Sequence, residues 1–205
     1  MNSRKMILTG LAVAFLAFAI PGISSAANIL VNPGFETGDL TGWQVFGVSP
    51  SSNATVQSGD NGPSAPGDYN TFLDNQAQAL ALVLKQSTAV GTAGPGTVYY
   101  SFDLKLDQAD LGGVLFVQIF AEQEGIGVIG GTGLMGPYWP WGAWTNFNGS
   151  FEAPAGTDFL TIQFEAVTGA TVGSNCRAHV DNVSLDQGTT AVEATSWGGI
   201  KSMYR

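Results

Sequence analysis

Thr97-Val-Tyr-Tyr-Ser-Phe-Asp-Leu-Lys-Leu-Asp107 puts Val98, Tyr100, Phe102, Leu104 and Leu106 on one side of an extended chain, and Tyr99, Ser101, Asp103 and Lys105 on the other. A period of two with large apolar residues on one side is the pattern of a strand with one face in a core. The next segment, Gly113 to Glu122, is almost continuously apolar and predicts a strand buried on both faces. Working outward, Asn28 to Asn32, Gly42 to Val48, Tyr69 to Asp74, Leu80 to Gln86, Trp144 to Phe151, Phe159 to Val167 and Ala178 to Asp186 are further short apolar segments. The 28 glycines, with scattered Pro, Asn, Asp and Ser, separate them, so the expected fold class is all-β, a sandwich or a barrel. Asn75 to Lys85 contains good helix formers, but Leu80, Leu82 and Leu84 alternate between β-like neighbours, which favours strand. Ser49 to Gly67 and Glu124 to Gly142 are rich in Gly, Pro, Ser and Asn and are expected to be long surface loops, where binding commonly resides.

The ends of the chain set its compartment. Arg4 and Lys5 precede an apolar run from Met6 to Ile20, then Pro21, Gly22 and the small residues Ser24 to Ala27, which is the layout of a secretory signal peptide. The run is shorter than the roughly 20 apolar residues of a spanning helix, so cleavage is expected in preference to an uncleaved anchor. Residues 1–27 are therefore read as leader, 28–186 as one domain, and 187–205 as a linker and a tail that ends in Trp197, Lys201 and Arg205 and serves attachment or sorting. Localisation is expected to be secreted or at the cell surface, with no further stretch long and apolar enough to cross a bilayer. Removing Arg4 and Lys5 with the leader takes the formal charge from -9 to -11, a surface that repels nucleic acid and anionic lipid.

Catalytic schemes fail largely by count. Cys176 is the lone cysteine, so no intramolecular disulfide forms, and His179 is the lone histidine. Three residues apart on a strand, these two point to opposite faces and cannot exchange a proton. Glu122, Glu124, Glu152, Asp158 and Glu165 give many carboxylate pairs but no glycosidase motif, and Gly125 to Gly133 lacks the basic residue of a phosphate cradle. A non-enzyme is expected.

Asn28-Ile-Leu-Val-Asn-Pro-Gly-Phe-Glu-Thr-Gly-Asp-Leu-Thr-Gly-Trp43 at the start and His179-Val-Asp-Asn-Val-Ser-Leu185 at the end resemble the brackets of the galactose-binding-like jelly rolls. Leu84-Lys-Gln86 and Tyr99-Tyr-Ser-Phe-Asp103 are similar to further steps of that family, which includes carbohydrate-binding modules and secreted bacterial surface proteins. The resemblance implies a β-sandwich of jelly-roll type. It also implies a structural calcium where the first loop meets the last strand, with Glu36 and Asp181 at the matching positions. Read from the residues alone, Gly38 and Gly42 permit a tight turn that delivers Trp43 to the core. Val180, Val183 and Leu185 can all face inward only if a bulge interrupts the strand near Asp181 and Asn182.

Gly136-Pro-Tyr-Trp-Pro-Trp-Gly-Ala-Trp144 gathers four large aromatics in nine residues. Sugars stack on aromatic faces, so Tyr138, Trp139, Trp141 and Trp144 are candidate ligand-binding residues, with Asn146 or Gln118 as hydroxyl partners. The alternative is that Trp144 and Phe147 start a core strand and the others fold back as a lid. The expected function is a non-catalytic carbohydrate-binding module; the rival is a matrix subunit that self-associates or binds a surface protein. Protein recovered from outside the cytoplasm is expected to begin at Asn28 or Ala27 on N-terminal sequencing.

Overall fold

The computed structural model describes residues 27–188, so residues 1–26 of the expected leader and 189–205 of the expected linker and tail lie outside the described residues, while Gln187, expected in the linker, ends the last strand. Ten strands run in the order β1 (Gln44–Phe46), β2 (Ser52–Ser58), β3 (Tyr69–Asn75), β4 (Ala81–Ser87), β5 (Gly96–Asp110), β6 (Val114–Gln123), β7 (Gly127–Met135), β8 (Thr145–Ala153), β9 (Phe159–Val167) and β10 (Asn175–Gln187). They form two antiparallel five-stranded sheets, β1-β4-β9-β6-β7 and β2-β3-β10-β5-β8. No helix among the described residues is long and apolar enough to cross a membrane.

The inward sets meet between the sheets as the period of two requires. Leu82 and Leu84 of β4, Leu160, Ile162 and Phe164 of β9 and Leu115, Val117 and Ile119 of β6 face Val98, Phe102, Leu104 and Leu106 of β5 and Val180, Val183 and Leu185 of β10, all buried. β6 departs from expectation: its residues alternate buried and half-buried, so Phe116 and Phe120 line an outer face and only one side is in the core. Both expected long loops contain a strand. β2 and β7 are edge strands whose short polar residues and glycines interrupt the alternation, and their pairing with β3 and β6 supplies what their own pattern does not.

Asn28 to Asn32, expected as a strand, is irregular. It lies beside the second half of β10, where the Ile29 amide donates to the Leu185 carbonyl at 3.0 Å and the Val183 amide to the Pro33 carbonyl at 3.0 Å. From β4, the Gln86 side chain accepts from the Val31 amide at 2.6 Å and donates to the Val31 carbonyl at 2.9 Å, replacing the ladder a neighbouring strand would make. Gly38 and Gly42 take positive φ, and the turn delivers Trp43 into the core. Its indole donates to the Asn32 carbonyl at 3.1 Å and its ring lies 5.3 Å from that of Phe35.

The expected bulge is present. Pairing of β10 with β5 shifts register between Asp181 and Ser184, Asn182 adopts φ 48, and Val180, Val183 and Leu185 are all buried. Asp181 and Asn182 are thereby aimed at the outer face.

Trp43 closes one end of the core against Phe35 and Phe164. Trp43→Ala should lower the unfolding free energy by about 3–5 kcal/mol, the range for a large buried aromatic, as measured by urea denaturation.

Candidate functional site

Two regions gather the residues singled out above, and both depend on β5. On the outer face of the second sheet, antiparallel pairing sets side chains in cross-strand rungs. Asn146, Asp103 and Asp181 form one; Asn148, Ser101 and Ser184 the next; Ser150, Tyr99 and Asp186 the third. Alternation alone would leave Asp103 in water, yet it is 0% exposed and Asp181 1%. The segment between β2 and β3 folds across this rung and buries it.

The covering segment binds carboxylates through its backbone. The Gly62 amide donates to Asp181 Oδ2 at 2.8 Å, and the Ser64 amide to Asp103 Oδ2 at 2.9 Å. Asp103 also accepts from Asn146 Nδ2 and Asn182 Nδ2, each at 2.9 Å. Asp68 and Tyr69 offer their amides to Glu36 at 2.9–3.2 Å. Glycine is required where the loop touches the acids: a Cβ on Gly62 would lie 2.5 Å from Asp103 Oδ2, and one on Gly67 2.4 Å from Glu36 Oε1. A methyl on Gly34 would stand 3.7 Å from both Asp181 Oδ1 and Glu36 Cγ, so these two side chains flank the same glycine.

Burial pushes Asp181 up to about 7, against its two amide donors and with help from the charges of Asp103 and Glu36. Burial acts on Asp103 too, but the hydrogen bonds from Ser64, Asn182 and Asn146 outweigh it and hold that carboxyl below its ordinary value. Neighbouring acids thus differ because one has more donors than the other. The carboxylate oxygens of Glu36 and Asp181 are hard ligands of the kind calcium takes, although in this arrangement both carboxylates accept from backbone amides. The described residues contain no cluster of three or more His, Cys, Asp or Glu side chains placed to hold a metal, so the rest of a shell would have to come from amide oxygens, loop carbonyls and water.

Beside this lies a second polar group that the sequence reading missed. Lys105 pairs with Asp60 and lies 3.4 Å from Asp107, while His179 has Asn70 Oδ1 at 2.8 Å and Asp107 Oδ2 at 3.0 Å. Acceptors at both ring nitrogens suit a doubly protonated ring; burial acts the other way and holds the His179 pKa below its ordinary value, with Asp107 opposing. Cys176 faces the core, its thiol pushed up to about 12 by burial, on the opposite side of β10 from His179.

The aromatic loop divides. Tyr138 packs into the core, 4.5 Å from Phe147 and 5.8 Å from Phe102 by ring centroids. Trp144 lies against His179, and its indole donates to the Asp60 carbonyl at 2.8 Å, so it fastens the covering loop. Trp139 and Trp141 remain 45% and 51% exposed, stacked with centroids 5.9 Å apart and planes at 19°. Their backbone is fixed to β5: the Leu106 amide donates to the Pro140 carbonyl at 2.8 Å and the Gly142 amide to the Leu106 carbonyl at 2.9 Å. Asn146 is committed to Asp103 and Ser64, and Gln118 sits on the outer face of the other sheet opposite Gln163 and Leu134.

No protein-family model and no curated protein matches the chain. Solved structures do. An enzymatically active domain of a bacteriophage CBA120 tailspike protein aligns at TM-score 0.59 and 13% identity over 78% of this chain, and the chain spans 21% of that structure. A family 61 carbohydrate-binding module in complex with β-1,4-galactotriose aligns at 0.52 and 17% identity, covering 79% of this chain and 99% of that one. The paired CBM22-1 and GH10 modules of a Clostridium thermocellum endo-1,4-β-D-xylanase, complexed with xylohexaose, align at 0.53 and 15% identity over 80% of this chain and 29% of that one. The chain has a jelly-roll fold of the carbohydrate-binding-module type. Within that jelly roll, the first loop and the last strand meet at Gly34, and the exposed tryptophans sit beside the far half of β5.

Asp181 makes the stability of this jelly roll depend on pH with a definite sign. Its unfolded value is near 3.8 and its folded value about 7, so across that window the native state holds a proton the unfolded chain has lost. In chelator, stability relative to Asp181→Asn should therefore fall as pH rises from 4 to 7.5, as read from melting temperatures of the two proteins.

Proposed function

We propose that the chain is a secreted or surface-attached, non-catalytic module that binds neutral carbohydrate on Trp139 and Trp141. The observation that supports this most is the exposed, stacked indole pair, whose backbone is fixed to β5 on both sides of Trp141. Solvent-exposed tryptophans are costly unless used, and a platform held before the ligand arrives loses little entropy on binding. Sugar C–H faces pack on indole, and such contacts contribute about 1 kcal/mol beyond the area they bury. Residues 125–151, which include the platform, contain no Asp, Glu, Lys, Arg or His, so no charged side chain of that stretch competes for a neutral ligand. Tyr138 and Trp144, committed to the core and to the covering loop, support the platform and do not form it.

Calcium is the proposed structural cofactor. Glu36 and Asp181 would hold it with neighbouring oxygens, and its charge would favour the ionised Asp181 that burial, aided by the charges of Asp103 and Glu36, disfavours. The role is to tie the first loop to the last strand; calcium should flatten the pH slope described for the chelated protein.

Trp139→Ala with Trp141→Ala should abolish retardation of the protein in native gels containing galactan or xylan. Its melting temperature should stay within about 3 °C of the parent, since exposed substitutions shift stability by about 0.5 kcal/mol or less. A large loss of stability with retardation retained would show that the pair is a lid.

A further inference from the structure

We propose that the outer face of the second sheet carries a second saccharide site, centred on Tyr99, at the opposite end of β5 from the tryptophan pair. The domain would then engage a neutral glycan at two points. The inference rests on the carbohydrate-binding reading above and adds to it a site on a different face.

The segment that buries the Asn146–Asp103–Asp181 rung reaches no further along the sheet than Ala65 and Pro66, which line one side of a groove. The next two rungs are left open as its floor: Asn148–Ser101–Ser184, then Ser150–Tyr99–Asp186. Ser101 and Ser184 line both the stretch beside Pro66 and the stretch beside Tyr99, so the groove is continuous across the two rungs. Tyr99 is 57% exposed, an aromatic ring open to solvent on a floor whose other side chains include hydroxyls, an amide and one carboxylate.

That composition selects the ligand class. An aromatic face takes the apolar side of a pyranose, and short polar side chains in fixed rungs take its hydroxyls. Asp186 Oδ2 accepts from Ser184 Oγ at 3.0 Å, while Asp186 Oδ1 is buried without a partner. An orphaned carboxylate oxygen calls for a donor, and rotation of the carboxylate would offer it to a ligand hydroxyl. No Lys or Arg lines this stretch, so an anionic sugar would meet Asp186 uncompensated.

Tyr99 and Leu106, which anchors the tryptophan loop, are seven residues apart on one strand, or roughly 24 Å at about 3.4 Å per residue. Two weak sites at fixed separation on a rigid strand raise avidity for a long chain without new contacts.

Isothermal titration of the exported chain with β-1,4-galactotriose, xylohexaose and cellohexaose tests this. For the oligosaccharide that binds, the parent should show two sites per chain, and Tyr99→Ala and the Trp139→Ala/Trp141→Ala double variant one each. The triple variant should show none. Ser101→Phe, which fills the groove floor, should match Tyr99→Ala, with near-ultraviolet circular dichroism confirming that both variants are folded. One site in the parent, unchanged in Tyr99→Ala and in Ser101→Phe and lost in the tryptophan double variant, overturns the second site and leaves the platform standing. Binding unchanged in the double variant and lost in Tyr99→Ala overturns the platform and two-point engagement together. No heat with any of the three probes overturns both readings.

Discussion

The bulge at Asp181 and Asn182 is the constraint from which the arrangement of both faces follows. β10 is the middle strand of its sheet and has to bury Val180, Val183 and Leu185, which strict alternation forbids. Shifting register by the insertion solves the packing problem and turns two polar residues to the same outer face. Asn182 in the left-handed region then bonds both Asp103 and the Gly62 carbonyl at 2.9 Å, so the irregular strand and the covering loop stabilise one another. Two buried carboxylates on adjacent strands would be prohibitively costly in a bare sheet. They persist because the loop brings amides to them, and the loop can come close because Gly62 has no side chain to collide with Asp103.

The two ends of β5 consequently differ in character. Toward Lys105 and Asp107 the outer face is charged, covered and internally bonded; toward Tyr99 and Ser101 it is uncharged on β5 and open. The same strand also carries the tryptophan loop through the backbone of Leu106, whose side chain is fully buried. Tyr99 therefore sits on a strand held by β8 and β10 on either side, and the tryptophan loop takes the place of β8 beside Leu106, so it is tied to the same strand through its backbone.

What was legible in the sequence was what periodicity encodes. The alternation of Thr97 to Asp107, the parity conflict among Val180, Val183 and Leu185, and the turn that buries Trp43 each follow from strand geometry and are present as expected. β2 and β7 were missed because an edge strand faces solvent on one side and draws its order from a partner; Gly130, Gly131 and Gly133 in β7 look like loop to any local rule. The burial of Asp103 was missed because it depends on a segment some 40 residues away in sequence. A signal did exist in the placement of Asp103, Lys105 and Asp107 on one face of a central strand, opposite a loop with Gly59, Gly62 and Gly67. The aromatic cluster was visible as a cluster, but its division was not, since Tyr138 and Trp144 differ from Trp139 and Trp141 only in what lies across from them.

β7 poses a last physical question, because it is an exposed edge of nine residues with no charge and no proline, the kind that pairs with other chains unless something prevents it. Protection here comes from backbone shape. Its pairing with β6 shifts register between Ile119 and Phe120 and again between Ala121 and Glu122, and Thr132 Oγ1 takes the place of a ladder carbonyl in accepting from the Ile119 amide. Gly131 takes a positive φ, and a Cβ there would lie 2.1 Å from the Ile119 carbonyl, so no other residue fits the bulge. A kinked, twisted edge cannot template a regular ladder along its length. Because glycine-built bulges do the work that lysines do on other edges, the flank that leads from β7 into the tryptophan loop can stay free of charge on an acidic protein. The proposed platform for a neutral ligand needs no charge there, and the bulged backbone of β7 blunts the edge without one.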